Sequence, residues 1–249
     1  VGLALGLFSA TPFFITVAAF LSLLFIGINT GLLVWDLDRP DRFWTILIRP
    51  QWKSWLARGA FILVSFSGVG GLFFLGHLFG FADLANLLIW PGVVLAVLSA
   101  TYTAFLFSQA EGRDLWQSAL LPGHMFVQAI MAGASTLLIA GLFFGEATSV
   151  LAWTLGLSLL INLLVTVGGE FAVPHASTVA ATAAHLITHG RYKNHYRFSI
   201  IVGLILPLVI VVFASISNVA LAVAGVLSLG GLFAYEWAFV MAPQEVPNN

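Results

Sequence analysis

Two groups of polar residues recur at helical spacing inside long apolar stretches. His124 and Gln128 stand four residues apart, and Asn162, Thr166 and Glu170 stand at i, i+4 and i+8, so each group shares one helix face. A strongly polar or ionisable side chain in such surroundings is costly and is by default a functional candidate. An imidazole and a carboxylate at the same depth can take up, hold and release a proton. Asn29, Thr30, Thr101, Tyr102, Thr103, Gln109 and Glu236 occupy comparable positions in other apolar runs. Asn29, Tyr102, His124, Gln128, Asn162 and Glu170 are therefore read as lining a proton path or a water-filled cavity. The competing reading is a set of interhelical hydrogen bonds and interfacial groups in contact with water, which suits Tyr102 and Glu236 best.

A second, smaller group comprises His77, Asp83 and Trp90, near the opposite ends of their apolar runs. His77 suits a proton donor or hydrogen-bond partner for a quinone carbonyl, because imidazoles as a class titrate near neutral pH; a merely solvated histidine is the alternative. Haem is not expected. His77 and His124 fall towards opposite faces, and His175, His185, His189 and His195 cluster in one hydrophilic connection. His185 and His189 have i, i+4 spacing, but no third ligand is suitably spaced for a metal. No catalytic residue and no metal site is assigned.

The elements that position these residues follow from composition. Of 249 residues, 60% are hydrophobic and 8% charged, with mean hydropathy +1.04. A soluble domain carries about a quarter charged residues, so the chain belongs in lipid. The net charge of −1 gives no argument for nucleic acid. With no cysteine, the chain can supply neither a disulfide nor thiolate ligands to an iron–sulfur cluster. Apolar runs predict membrane helices near 12–34, 56–80, 86–107, 118–144, 149–171, 199–217 and 219–241, numbered II to VIII. The short apolar stretch Gly2–Ala10 is read as the tail of helix I. A lone strand in lipid leaves its backbone unpaired, and alternating barrel strands do not occur in the sequence, so each span is helical. The expected fold is an all-α polytopic helix bundle, seven full spans plus the tail of an eighth, forming one domain over 1–249.

Charge then orients the bundle. All nine basic residues lie in or beside the connections after II, IV and VI, while those after III, V and VII hold only Asp83 and Glu146 as charges. The positive-inside rule places the basic connections and the C-terminus in the cytoplasm. Trp35, Trp44, Trp52, Trp55, Trp116 and Trp237 fall at the basic ends and Trp90 and Trp153 at the others, as expected of interfacial anchors. Ser65, Ser67, Gly68, Gly70 and Gly71 permit close helix approach within III. Between II and III, Asp36-Leu37-Asp38-Arg39-Pro40-Asp41-Arg42-Phe43-Trp44 precedes Ile46–Trp55. This reads as an amphipathic interfacial segment whose acids and bases alternate closely enough to pair, with Ser54 placed to cap III.

That segment resembles the corresponding loop of the NrfD, or polysulfide reductase membrane-subunit, family. The resemblance rests on Asp36, Asp38, Arg39, Pro40, Arg42, Phe43 and Trp44, and on the Ser54-Trp55 pair before the next helix. Asp114-Leu115-Trp116 with Leu121-Pro122, the Glu170–His175 stretch, and Gly203 with Pro207 extend it over nearly the whole chain. It implies an eight-helix subunit of the bacterial or archaeal cytoplasmic membrane, without haem. Such a subunit passes electrons between menaquinone or ubiquinone and an attached iron–sulfur subunit, which serves a molybdopterin or multihaem catalytic subunit. The absence of cysteine fits this division of labour. The resemblance places the quinone in the first four-helix bundle near the outer face, where His77, Asp83 and Trp90 are candidates by position.

The function expected is thus a quinone-reactive membrane anchor of a respiratory oxidoreductase complex, with proton translocation through the stripes on V and VI as one possibility and a quinone site on the inner side, served by a cytoplasmic iron–sulfur partner, as another. Two alternatives stay open. One is a secondary transporter or ion channel that uses the intramembrane Glu170 and His124; it calls for repeat symmetry, whereas Pro91 and Pro207 interrupt spans at unmatched positions. The other is a purely structural anchor.

Overall fold

The computed structural model describes residues 2–7, 11–145, 149–213 and 217–247. Among them there is no strand. Seven helical stretches are long and apolar enough to cross a membrane: Phe13–Trp35, Trp55–Leu78, Ile89–Ser108, Leu121–Phe144, Ser149–Phe171, Lys193–Phe213 and Asn218–Glu245. The protein is an all-α, multi-pass membrane protein. Residues 2–6 form turns rather than the tail of a helix. Glu146, expected in the connection after V, lies outside the described residues.

Two compact units make up the chain, residues 1–106 and 107–249. In the first, α1 (Ala18–Trp35), preceded by a wide π-helical turn at Phe13–Val17, packs on α3 (Trp55–Leu78). A 3₁₀ turn at Pro40–Arg42 leads into the short interfacial α2 (Phe43–Ile48), while α4 (Ala82–Asn86) connects α3 to α5 (Ile89–Ser108). Proline at the start of the 3₁₀ turn fits because its ring fixes φ and the missing N–H is one the first turn leaves unpaired. Gly59 lets α3 meet α5: a Cβ there would fall 2.5 Å from the Tyr102 ring. Trp55 stacks on Phe105 at 4.5 Å along the same contact.

Two expectations for the α1–α3 connection fail. No ion pair forms among Asp36, Asp38, Arg39, Asp41, Arg42 and Arg49, within the described residues. All six side chains instead face outward, where water solvates them and holding two long side chains together gains little. Ser54 occupies the N-cap of α3, but its side chain makes no capping bond.

The second unit contains α6 (Leu121–Phe144), α7 (Ser149–Leu164) continued by a π-helical turn at Val165–Phe171, and the amphipathic surface helix α8 (Thr178–Thr188). It is completed by α9 (Lys193–Phe198), a π-helical turn at Ser199–Ile205, α10 (Leu206–Phe213) and α11 (Asn218–Glu245). The sixth span thus starts at Lys193 and not at 199, and the last runs on to Glu245. The long stems of Lys193 and Arg197 let apolar helix continue up to the interface while their charged ends stay in water. On α6, Leu121, His124, Gln128, Met131, Ser135 and Leu138 form a buried stripe at helical spacing that faces α7 and α11. Small residues set the approach. A Cβ at Gly225 would meet the Ser135 carbonyl at 2.8 Å, and Gly203 and Gly231 cross backbone to backbone with no room for a side chain on either.

The basic end of this unit is tied together through the tail of α11. Pro243 has no N–H, which leaves the Phe239 carbonyl four residues earlier without its helical donor. The Trp116 indole supplies it, donating to Phe239 O at 3.0 Å. Trp116 is therefore buried and stacked on Phe107 at 4.7 Å, not an interfacial anchor. Arg113 donates to the Pro243 and Val246 carbonyls at 2.9 and 3.0 Å, closing the helix C-terminus. Ser177 caps α8 by accepting from the Ala180 N–H, while its hydroxyl donates to Asp114. Glu245 accepts from Arg191 and from the Tyr192 hydroxyl. Burial and the neighbouring Glu245 carboxylate raise the Tyr192 phenol above its ordinary range.

Candidate functional site

Three helices of the second unit deliver one polar cluster into an apolar interior. The stripe on α6 brings His124 and Gln128, the end of α7 and its π-helical turn bring Asn162, Thr166 and Glu170, and α11 brings Tyr235. All six are buried, with His124 and Thr166 only 1% exposed. The i, i+4, i+8 spacing does hold these residues to one side of the helix, the wider π turn carrying Glu170 alongside His124.

His124 is the hub. Its Nδ1 lies 3.1 Å from Glu170 Oε1 and its Nε2 2.7 Å from Asn162 Oδ1. The Thr166 hydroxyl lies 3.2 Å from the same Nε2 and donates to Asn162 Oδ1 at 3.2 Å, while the Gln128 amide stands 3.4 Å from Nε2. The other oxygen of Glu170 accepts from the Tyr235 hydroxyl at 2.5 Å. Tyr235 also packs edge-on to the imidazole, with ring centroids 5.5 Å apart. Asn162 completes its contacts through the Met131 thioether at 3.4 Å.

These contacts define two self-consistent proton arrangements. As oriented, Nδ1 faces a carboxylate oxygen of Glu170 and Nε2 faces the Asn162 carbonyl, so either nitrogen can donate a proton, while the Gln128 amide beside Nε2 offers a donor in turn. Rotating the Asn162 amide presents its NH₂ to Nε2, which then accepts from it and from Gln128, and the ring is neutral. The two arrangements differ by one proton and one amide rotation. Few atoms need move, because both Glu170 oxygens stay bonded in each. A buried charge is tolerable only when it is paired and fully hydrogen-bonded, and this cluster meets that condition.

The remaining sequence candidates belong to the first unit. Asn29 lies on the exposed face of α1. Tyr102 is buried against Gly59. His77, in the last turn of α3, is half-buried and edge-on to Phe73 at 4.6 Å, and its Nε2 is enclosed without a partner among the described residues. Asp83 and Trp90 are exposed, at the start of α4 and in the first turn of α5. No hydrogen bond joins these three residues within the described part of the chain. In the second unit, Glu236 is partly exposed, beside Gln128, His124 and Glu170.

The sequence reading missed Tyr235, whose importance depends on which helix stands opposite Glu170. The one signal available is its position four residues after Gly231, a small residue that fixes a close crossing. Among the described residues no group of three or more His, Cys, Asp or Glu side chains could hold a metal ion.

Comparison with known proteins agrees with this architecture. The protein is 35% identical over 152 residues to the C subunit of the polysulfide reductase of Wolinella succinogenes, an alignment covering 54% of this sequence and 48% of that protein. The match thus spans about half the length of this relative. The family model described as "Polysulphide reductase, NrfD" matches residues 8–248, nearly the whole sequence, and the chain belongs to that family.

Proposed function

We propose that this protein is the quinone-reactive membrane subunit of a respiratory oxidoreductase complex, and that it moves protons through the His124–Glu170 cluster. The family match over residues 8–248 carries the first part. In this reading the chain exchanges electrons between a membrane menaquinone or ubiquinone and an iron–sulfur partner, which serves a molybdopterin or multihaem catalytic subunit. The chain has no cysteine to hold a cluster of its own. When bound, the quinone supplies two-electron, two-proton chemistry. The unpartnered Nε2 of His77 suits a quinone carbonyl as its hydrogen-bond partner, with Asp83 and Trp90 near it in sequence on the same side.

The buried cluster supports the second part. A proton resides on His124 in one arrangement and is absent in the other. Glu170 lies at the end of its span, two residues before the exposed Ala172, which suits exchange with the aqueous phase. Asn29 and Tyr102 are proposed as proton-path residues within the first unit. The basic residues Arg113, Arg191, Lys193 and Arg197 belong to the end where α11 closes, and the positive-inside rule makes that end, with the C-terminus, cytoplasmic. The whole chain then forms one such domain in the cytoplasmic membrane.

Isolation in mild detergent tests the first part. An iron–sulfur subunit should copurify, and the assembly should oxidise a short-chain quinol or reduce the quinone. Solute transport by the chain alone in liposomes, without redox partners, would refute the reading in favour of a transporter.

A further inference from the structure

The second unit encloses a small cavity against the polar cluster. Its walls include Gln128, Met131, Asn162, Thr166, Ser199 and Tyr235, drawn from α6, α7, α11 and both π-helical turns of the unit. Five of these six side chains are polar, and none of the six is more than 7% exposed. Thr166 stands in the turn at Val165–Phe171, and Ser199 opens the turn at Ser199–Ile205. The cavity measures about 10 Å³. That is about one water-sized sphere, enough for a single water if two to four polar groups hold it, and far too little for a quinone ring.

Hydrogen bonding shows what the space lacks. Thr166 donates to Asn162 Oδ1 and Tyr235 to Glu170, so each of these hydroxyls has spent its hydrogen and keeps only lone pairs to offer. The Asn162 NH₂ has the Met131 thioether at 3.4 Å, a weak acceptor. Rotating that amide, as the neutral imidazole requires, exchanges its two ends. The NH₂ moves to His124 Nε2, and the carbonyl oxygen moves to the thioether, which has no hydrogen to give. A buried carbonyl without a donor is costly. Ser199 adds a hydroxyl from a fourth element. A carbonyl and two hydroxyl oxygens in need of donors, beside a serine that can donate, call for a small molecule that gives two hydrogen bonds and accepts another.

We propose that this cavity binds one water molecule and that the neutral arrangement of the cluster depends on it. The water donates to the rotated Asn162 carbonyl and to a hydroxyl oxygen of Thr166 or Tyr235, and it accepts from Ser199. Ser199 is thus a positioning residue: it holds the water, and the water satisfies the arrangement from which the proton has left. The site rests on the cavity alone, whereas its link to protonation rests on the proton reading of the cluster.

The test uses the assembly that mild detergent preserves, in nanodiscs for structure and in liposomes for turnover. A cryo-electron-microscopy map fine enough to show ordered water should hold one peak within hydrogen-bond distance of Asn162 and Ser199. Ser199→Val replaces the hydroxyl by a methyl and adds a second, so it should empty the site; Ser199→Ala keeps the space and removes one contact. With the neutral arrangement disfavoured, His124 keeps its proton to higher pH. The pH profile of proton uptake during quinol turnover should therefore move upward by about one unit in Ser199→Val, a tenfold change in proton affinity, and by less in Ser199→Ala. Should Ser199→Val fail to fold in a thermal-unfolding control, Ser199→Ala carries the comparison. An empty cavity in the wild-type map overturns the site. A profile that stays in place overturns its role, even where uptake falls, since a merely structural Ser199 would lower uptake without moving the profile. Full uptake by Glu170→Gln refutes the proton reading instead and leaves the water peak to decide the site.

Discussion

Replacing Glu170 in two different ways separates what its carboxylate does for the fold from what it does for protons. One oxygen faces His124 Nδ1 at 3.1 Å and the other accepts from Tyr235 at 2.5 Å. Glu170→Leu removes both acceptors and leaves His124 Nδ1 and the Tyr235 hydroxyl buried without partners. At about 1–3 kcal/mol for each orphaned group, the loss is about 2–6 kcal/mol, a large fraction of the stability of any domain. Glu170→Gln keeps an oxygen to accept from Tyr235 and turns its NH₂ towards His124 Nδ1, which a neutral ring protonated on Nε2 accepts. The cost of this isostere is the loss of charge assistance alone, about 1 kcal/mol. Thermal unfolding in detergent should therefore rank wild type and Glu170→Gln close together and Glu170→Leu well below. Proton uptake by reconstituted liposomes during quinol turnover should show the opposite grouping, with Glu170→Gln impaired as deeply as Glu170→Leu. Equal stability of the two variants would refute the hydrogen-bonded cluster, and full proton uptake by Glu170→Gln would refute its role as a carrier.

Three further outcomes follow from the packing of the second unit and from Gly59. Trp116→Phe orphans the Phe239 carbonyl and should lower stability by about 1–3 kcal/mol; Pro243→Ala restores an N–H to that carbonyl, so the double variant should recover part of the loss in a denaturation cycle. Gly203→Ala places a methyl on the Gly231 backbone, and a cost of about 1–3 kcal/mol in thermal unfolding is expected. Gly59→Ala displaces the Tyr102 ring and should produce a similar loss, with a changed near-ultraviolet tyrosine signal as its local readout.

The number of spans was legible because lipid makes a continuous apolar helix of about twenty residues nearly obligatory. Span ends were less legible. The run from Lys193 to Phe198 reads as hydrophilic connection, yet it is helix, because its charged residues reach water from the interface. Within the site, the faces of α6 and α7 could be read from spacing alone, since that is a property of one helix. Their partner Tyr235 could not, because which helix stands opposite Glu170 is decided by tertiary packing. Trp116 was misread for the same reason: tryptophan near a span end usually faces the headgroups, and only the fold reveals the orphaned carbonyl that draws this one inward. The aspartates and arginines after α1 misled in another way. Alternating signs along a sequence suggest pairing, but at an exposed interface the pairs gain too little to form.

The small residues and the polar cluster of the second unit belong to one argument. In lipid, helices are not driven together by exclusion of water, so close packing has to supply the attraction. Gly203 and Gly231 bring α11 backbone to backbone with the π-helical turn before α10, and Gly225 does the same against α6. Tyr235 follows Gly231 by one helical turn, so that crossing sets how far its hydroxyl reaches. A Cβ at Gly231 would lie 2.1 Å from Gly203 Cα, so α11 must move outward by about 1 Å or more, beyond the roughly 0.5 Å by which the Tyr235–Glu170 hydrogen bond can lengthen. Glu170 would then face His124 with one oxygen unsatisfied, and the pairing that makes a buried charge tolerable would be lost. The glycines that carry no chemistry therefore fix whether the cluster can hold a proton at all.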